Sequence, residues 1–337
     1  MRNIYDITRE ELENYFIEHN DKKFRATQVF EAIYKQRVNN FNDITNISND
    51  IKQMLKQDFT FDEIKILKIQ EDDLVKKYLF ELNDGNKIES VLMYHDYGTS
   101  ICVSSQVGCN MGCKFCESGR LKKARNLETY EIVQQILLIE ENIQSRITHV
   151  VMMGIGEPFD NYDNVMAFIK IINDNKGINL GSRHITISTC GVIPGIEKFM
   201  EEPGQVNLAI SLHAADNEKR NKLMPINHAY PIKDLMKVLK KYQQKTNRRL
   251  TFEYILLKDI NDTQEDAEKL AKLIKGLNCY VNLIPYNETE NIEFKRTETF
   301  QIMNFYDILK KSGISVTIRR EFGGKVDAAC GQLRSKY

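Results

Sequence analysis

The spacing of apolar and polar positions changes twice along the chain. Up to about residue 60, apolar residues recur at helical intervals. Leu12, Tyr15 and Phe16 follow Thr8-Arg9-Glu10-Glu11, whose hydroxyl and carboxylate have the spacing of a capping box, and predict a helix over about 8–19. Val29, Phe30, Ile33 and Tyr34 mark a second helix from near Arg25, and Ile51, Met54 and Leu55 a shorter third. From Ile64 the pattern turns extended. Ile64, Ile66 and residues 74–82 lead to Asn83-Asp84-Gly85-Asn86, whose Asp-Gly favours a tight hairpin; residues 87–94, a turn at 95–99 and a strand at 100–104 complete a β-meander. Beyond it, short apolar strands at 147–153, 184–188, 206–211, 250–256, 279–284 and 314–318 alternate with amphipathic helices at 129–143, 161–174, 232–245, 263–275 and 297–311. Such alternation implies βα units on a parallel sheet. Six or seven units suit either a partial barrel or an open doubly wound sheet, and the pattern alone does not choose.

Composition narrows the class without naming a function. The chain has 337 residues, 28% of them charged, with 47 basic against 47 acidic side chains. Zero net charge argues against wholesale coating by nucleic acid and requires charge to be read locally. No stretch approaches the roughly 18 apolar residues of a membrane span, and the start, Met1-Arg2-Asn3-Ile4-Tyr5-Asp6, lacks the apolar core of a secretory signal. We therefore expect a cytoplasmic protein, in which seven cysteines serve as thiols or metal ligands and not as a disulfide framework. Locally, ten basic residues and one acid, Asp234, lie between Lys219 and Arg249, with Lys233, Lys237, Lys240 and Lys241 on one helix face; a solvated outer helix and a phosphate-binding face both fit.

The strongest chemical signal is Cys109-Asn110-Met111-Gly112-Cys113-Lys114-Phe115-Cys116, a C-x3-C-x2-C run just after a strand. Three thiolates on one loop can hold a cubane iron–sulfur cluster and leave one iron open to a reactant. The plainer reading is structural zinc, which usually wants a second paired ligand set, and no other C-x2-C occurs.

Here the residues carry a family resemblance. The cysteine run after the first strand of a βα array resembles the radical S-adenosylmethionine (radical SAM) superfamily. Phe24-Arg25-x-x-Gln28-Val29-Phe30, Cys102-Val103-Ser104-Ser105-Gln106-Val107-Gly108-Cys109, Met153-Gly154-Ile155-Gly156-Glu157-Pro158, Ile210-Ser211-Leu212-His213-Ala214, Met224-Pro225-Ile226-Asn227, Asn282-Leu283-Ile284-Pro285 and Asp327-Ala328-Ala329-Cys330-Gly331-Gln332-Leu333 resemble, in order, the RlmN/Cfr family of RNA adenine methyltransferases. The resemblance runs from about residue 23 to the end. It implies an α/β fold: a partial (βα)6-type radical SAM barrel over 100–337 that ends in a methyl-carrying cysteine, a β-meander extension at 61–99 and an N-terminal helical, RNA-binding accessory domain at 1–60.

The resemblance also implies roles. Cys109, Cys113 and Cys116 would hold a [4Fe-4S] cluster, and Gly156, Glu157, Ser188, Ser211, Leu212, His213 and Asn287 would contact S-adenosylmethionine, used twice per turnover, as methyl donor and as radical source. Cys330 would accept a methyl group, a 5′-deoxyadenosyl radical would take a hydrogen from it, the methylene radical would add to adenine, and Cys102 would release the product by forming a disulfide with Cys330. Glu89 occupies the position of the family's proposed base. Read without the family, Cys102 and Cys330 are buried small hydrophobes, His213 a structural histidine and Glu89 a solvent-facing strand carboxylate. Arg319, Arg320, Lys325, Arg334 and Lys336 flank Cys330 and suit phosphate contacts.

Two departures stand out: Glu117 follows the last cluster cysteine where a small residue is expected, and Cys190 occupies a position usually Ser, as an oxidation-sensitive bystander. The expected substrate is an adenine of 23S rRNA at the peptidyl-transferase centre, with a tRNA adenine beside the anticodon as a second. The expected donor is a flavodoxin or ferredoxin, and the expected state a monomer. Val107 and Pro158 favour the C2-methylating branch over the C8-methylating, antibiotic-resistance branch. A non-catalytic RNA-binding or assembly protein with a structural metal is the rival of another class.

Overall fold

Ten strands form one sheet whose spatial order follows the chain: β1 (Lys65–Asp72), β2 (Val75–Glu81), β3 (Lys87–His95), β4 (Gly98–Cys102), β5 (His149–Met152), β6 (Ile185–Thr189), β7 (Asn207–Ser211), β8 (Leu250–Leu256), β9 (Cys279–Pro285) and β10 (Ser315–Ile318). The structure is a computed structural model that describes residues 1–289, 291–319 and 332, so Cys330, Arg320, Lys325, Arg334 and Lys336 lie outside it. Strands β1 to β4 pair antiparallel, and β4 to β10 pair parallel. An order without reversal has no switch point, which excludes the doubly wound alternative. Among the described residues β10 does not pair back to β4, so the barrel is partial, with six crossovers.

Alternation along the parallel strands explains why helices cover one face only. Val150, Met152, Ile185, Ile187, Leu208, Ile210, Phe252, Tyr254, Val281 and Leu283 point outward into a single core. There they meet Ile136 of α4 (Thr129–Ile143), Phe168 of α5 (Tyr162–Asn173), Leu239 of α8 (Ile232–Thr246), Leu270 of α9 (Gln264–Ile274) and Phe305 of α10 (Thr299–Lys311). Each such side chain contributes about 1.5–3 kcal/mol by leaving water. The intervening Thr186, Ser188, Ser211, Thr251, Glu253, Asn282 and Thr317 face the hollow side. Short helices α6 (Ile193–Phe199) and α7 (Asn217–Leu223) were not predicted; seven residues, with Pro194 and Gly195 in the first, are too few to display a helical period.

The N-terminal helices, α1 (Arg9–Glu18), α2 (Phe24–Tyr34) and α3 (Asn49–Asp58), form as expected, and Thr8 and Glu11 close the predicted capping box on α1. Their Phe16, Val29, Phe30 and Leu55 belong to the same core as the barrel helices. Polar ties reinforce the docking: Arg9 Nε donates to Asp174 Oδ2 at 2.8 Å, and the Tyr130 N–H, in the first turn of α4, donates to Asp6 Oδ1 at 2.6 Å.

Candidate active site at the C-terminal strand ends

The cysteine loop is tied down at both ends. Gln106 and Val107 pair antiparallel with Arg125 and Asn126, and the Cys109 N–H donates to Leu121 O at 3.0 Å. Its tip is held from the far side, where the Lys114 N–H reaches Leu223 O at 2.9 Å. Phe115 anchors it in an apolar cluster with Leu223, Met224, Ile255, Ile284 and Tyr286, and meets His213 edge-on at 4.7 Å. The loop therefore lies across the C-terminal strand ends, where barrel enzymes gather their chemistry.

Cys109, Cys113 and Cys116 line one pocket with Gly156, Glu157, Ser188, Ser211 and His213, enclosing about 820 Å³ of space that opens to solvent. Leu212 and Asn287 do not line it: Leu212 is fully buried on the opposite side, and Asn287 lies two residues beyond β9. Burial pushes the Cys109 thiol up to about 12 and raises the Cys113 thiol well above its ordinary value, and each is raised further by its neighbouring cysteines. Thiolates so placed need a cationic partner, which a polynuclear iron centre supplies. Among the described residues no three His, Cys, Asp or Glu side chains converge as one bound ion would require. The three-thiol donor set, gathered round an open pocket, fits the cluster.

Glu157 is buried and serves as a clamp as well as a pocket wall. Its Oε1 accepts from the Phe159 N–H at 3.1 Å and its Oε2 from the Cys190 N–H at 2.8 Å. Burial raises its pKa and these bonds oppose the rise. Gly156 is required beside it, because at φ +112° an added Cβ would fall 2.7 Å from the Gln106 side chain. Cys190, expected as a bystander, lines the pocket, and its N–H holds the Glu157 carboxylate. Ser188 Oγ and Ser211 Oγ stand 3.4 Å apart. His213 lines the pocket and is held as a structural histidine would be: the Ile255 N–H donates to its Nδ1 at 3.0 Å, while burial and then Arg220 lower its pKa to about 3. The neutral ring thus keeps its proton on Nε2.

The remaining sequence candidates lie in the meander. Val91 pairs with Cys102 across β3 and β4, so Glu89, two residues away, shares a face with Cys102. Glu89 is not solvent-facing: it is 3% exposed, with Lys77 Nζ 3.5 Å from its Oε1. Cys102 packs with Val75, Val91, Met93 and Ile155 beside Met153, which lines the pocket. Glu117 is buried and accepts from Asn291 Nδ2 at 3.3 Å. Lys237, Lys240 and Lys241 project into solvent from α8.

Sequence reading missed two buried charges. Glu253 on β8 faces the pocket and accepts from Asn282 Nδ2 at 2.8 Å; its signal was a carboxylate inside Leu250-Thr251-Phe252-Glu253-Tyr254. Arg220, fully buried, donates to Leu212 O at 3.1 Å, Cys190 O at 2.6 Å, Ser211 O at 3.3 Å and Asn227 Oδ1 at 2.8 Å. One guanidinium thereby fixes the ends of β6 and β7. Arg220→Gln should strand several of these acceptors and lower unfolding free energy by about 3 kcal/mol, measured by chemical denaturation.

With this geometry established, three comparisons bear on the chain. Residues 103–274 match the radical SAM superfamily, and residues 2–60 match the ribosomal RNA large subunit methyltransferase N-terminal domain. A protein from Enterococcus faecalis named "Probable dual-specificity RNA methyltransferase RlmN" is 51% identical over 99% of this chain and 96% of its own length. One of the same name from Spiroplasma citri is 51% identical over 100% and 98%. The crystal structure of a radical SAM methyltransferase from Sphaerobacter thermophilus superposes with a TM-score of 0.93 at 38% identity, covering 100% of both chains.

Proposed function

The chain belongs to the radical SAM superfamily and, within it, to the RlmN family of dual-specificity RNA methyltransferases; on that premise we propose that it methylates C2 of an adenine in 23S rRNA, and of a tRNA adenine beside the anticodon. The observation that carries this reading is the gathering of Cys109, Cys113, Cys116, Glu157, Ser188, Ser211 and His213 round one pocket. The three cysteines would hold the [4Fe-4S] cluster, and the other four, with Gly156, the S-adenosylmethionine. When bound, the cluster supplies the electron that cleaves S-adenosylmethionine to a carbon radical.

The chain's own residues supply what that radical cannot. An adenine C2 carbon is too electron-poor to attack a methyl donor, so a thiol must carry the methyl group to it, a role that falls to Cys330. Cys102, in its apolar cluster one side chain from the pocket, would resolve the enzyme–RNA thioether: its thiolate attacks the Cys330 sulfur, the carbon–sulfur bond breaks, and the released carbon takes a proton to become the methyl group. Glu89, on the same face, is held beside Lys77 to receive the ring proton. Glu89→Gln should slow product formation on the order of 10²-fold or more while methyl loading of Cys330 continues, followed by mass spectrometry of the protein and of the RNA. Asn287 and Leu212 remain proposed S-adenosylmethionine contacts on the resemblance alone, since the Leu212 N–H already donates to Glu253 O at 3.1 Å and its carbonyl accepts from Arg220.

No helix among the described residues is long and apolar enough to cross a membrane. We place the enzyme in the cytoplasm, as a monomer that draws electrons from a flavodoxin or ferredoxin. Digestion of modified RNA and mass spectrometry against 2-methyl- and 8-methyladenosine standards tests the assignment. 2-Methyladenosine is expected, and dominant 8-methyladenosine would overturn it.

A further inference from the structure

The hollow face of the barrel has a second opening at the opposite, N-terminal ends of the strands. It encloses about 1750 Å³ of space, against 820 Å³ for the C-terminal pocket, and the two share only Met153 and Glu253 in their walls. This mouth is chemically distinct from the pocket above it. Its rim presents a row of rings: His95 lies flat under Tyr97 at 4.6 Å and 8°, Tyr97 meets His149 at 5.2 Å, and His149 meets His184 at 4.4 Å. His184 Nδ1 and His149 Nε2 are 2.9 Å apart, so one donates to the other. The row ends on Arg183, adjacent to His184, and Arg249, over the Tyr280 ring at 5.4 Å, lines the same mouth.

Three features distinguish the mouth from an ordinary solvated barrel bottom. Tyr97 is 67% exposed, an aromatic surface held out to solvent on a backing imidazole. Its turn packs directly on the residue before His149, since at Gly98 (φ +134°) an added Cβ would lie 2.3 Å from Thr148 Oγ1. Three guanidiniums, Arg183, Arg249 and Arg319, face two carboxyl groups, Asp96 and Glu253, a positive balance before any imidazole takes a proton. The imidazoles do not form a metal-binding trio among the described residues, which leaves them as hydrogen-bond partners and stacking surfaces. An exposed ring beside a cluster of guanidiniums is the combination that accepts a base on one side and its phosphate on the other.

We propose that this N-terminal mouth is a second binding site, for a nucleoside monophosphate unit, with the base against Tyr97 and the phosphate against Arg183 and Arg249. The unit has two sources, a free nucleotide or one residue of an RNA strand, and the proposal does not depend on which carbon of adenine is methylated. The test uses the holoenzyme saturated with S-adenosylmethionine, so that the C-terminal pocket is filled, and titrates AMP, adenosine and adenylyl trinucleotide by calorimetry. AMP should bind, and adenosine should bind about 10-fold more weakly for want of the phosphate. Tyr97→Ala and the pair Arg183→Gln with Arg249→Gln should each weaken AMP by about 10-fold and leave S-adenosylmethionine affinity and melting temperature unchanged, since all three side chains are exposed. A trinucleotide binding at least about 10-fold tighter than AMP supports the site as part of an RNA path, and equal affinities support a free nucleotide. No AMP binding under these conditions, or binding that neither variant moves, overturns the proposal.

Discussion

Cys102→Ala enzyme is expected to remain covalently attached to its RNA. In the proposed mechanism methyl loading of Cys330 and addition to the ring do not use Cys102, so both should proceed; release there needs a second thiol, and its loss should stop turnover after one event per chain. A denaturing gel should show a protein band shifted by RNA, removed by nuclease, together with little free methyladenosine. Cys330→Ala should give neither adduct nor product. The structure sharpens the expectation because Cys102 is 6% exposed among Val75, Val91, Met93 and Ile155. Alanine fits there at a cost of about 1 kcal/mol, so failure of release would not reflect unfolding. Normal turnover by this variant, with no adduct, would remove Cys102 from the mechanism.

Replacing Cys113 by Ala should have the larger effect on the cofactor. Three protein ligands already leave one iron open, and two would not retain a cubane cluster. Iron and sulfide should fall to background, the brown colour of anaerobically purified protein should vanish, and S-adenosylmethionine cleavage should cease even without RNA. Fold should persist, because Phe115 and the bond from Lys114 to Leu223 O anchor the loop without the metal. A colourless parent protein containing zinc and no sulfide would instead establish a structural metal and defeat the radical reading.

Much of this architecture is written in the chain, although apolar content masks one part of it. Helix and strand positions followed from period, and the capping box at Thr8 and Glu11 formed as its spacing required. What apolar content hid was polarity on alternate positions: Thr186 and Ser188, Thr251 and Glu253, Asn282 and Thr317 all face the hollow. A parallel sheet covered on both sides has near-continuous apolar strands. Strands alternating in this way require an uncovered, polar side and so distinguish a barrel from a doubly wound sheet. The cysteine loop was legible because its chemistry is local. Glu89 was legible only through the resemblance: read by itself, one carboxylate in a meander acquires meaning only through the register that sets it on the face of Cys102, and register is a property of paired strands. Arg220 was hidden inside a run of exposed basic residues, and only tertiary structure separates the buried guanidinium from its solvated neighbours.

Strand β4 is hydrogen-bonded on both sides, antiparallel to β3 and parallel to β5, and this joint decides how the protein can be divided. A fragment beginning at residue 100 would keep the cysteine loop and the whole parallel sheet, yet expose one flank of β4 as a raw edge. Such an edge offers unpaired amides and carbonyls to any extended chain, so the fragment should associate with itself more readily than the intact protein, whose outer strand β1 carries Lys65, Lys68, Glu71 and Asp72. The meander thus exchanges the flank of β4 for the charged edge of β1, and it does so with the same three hairpins that carry Glu89 and Cys102.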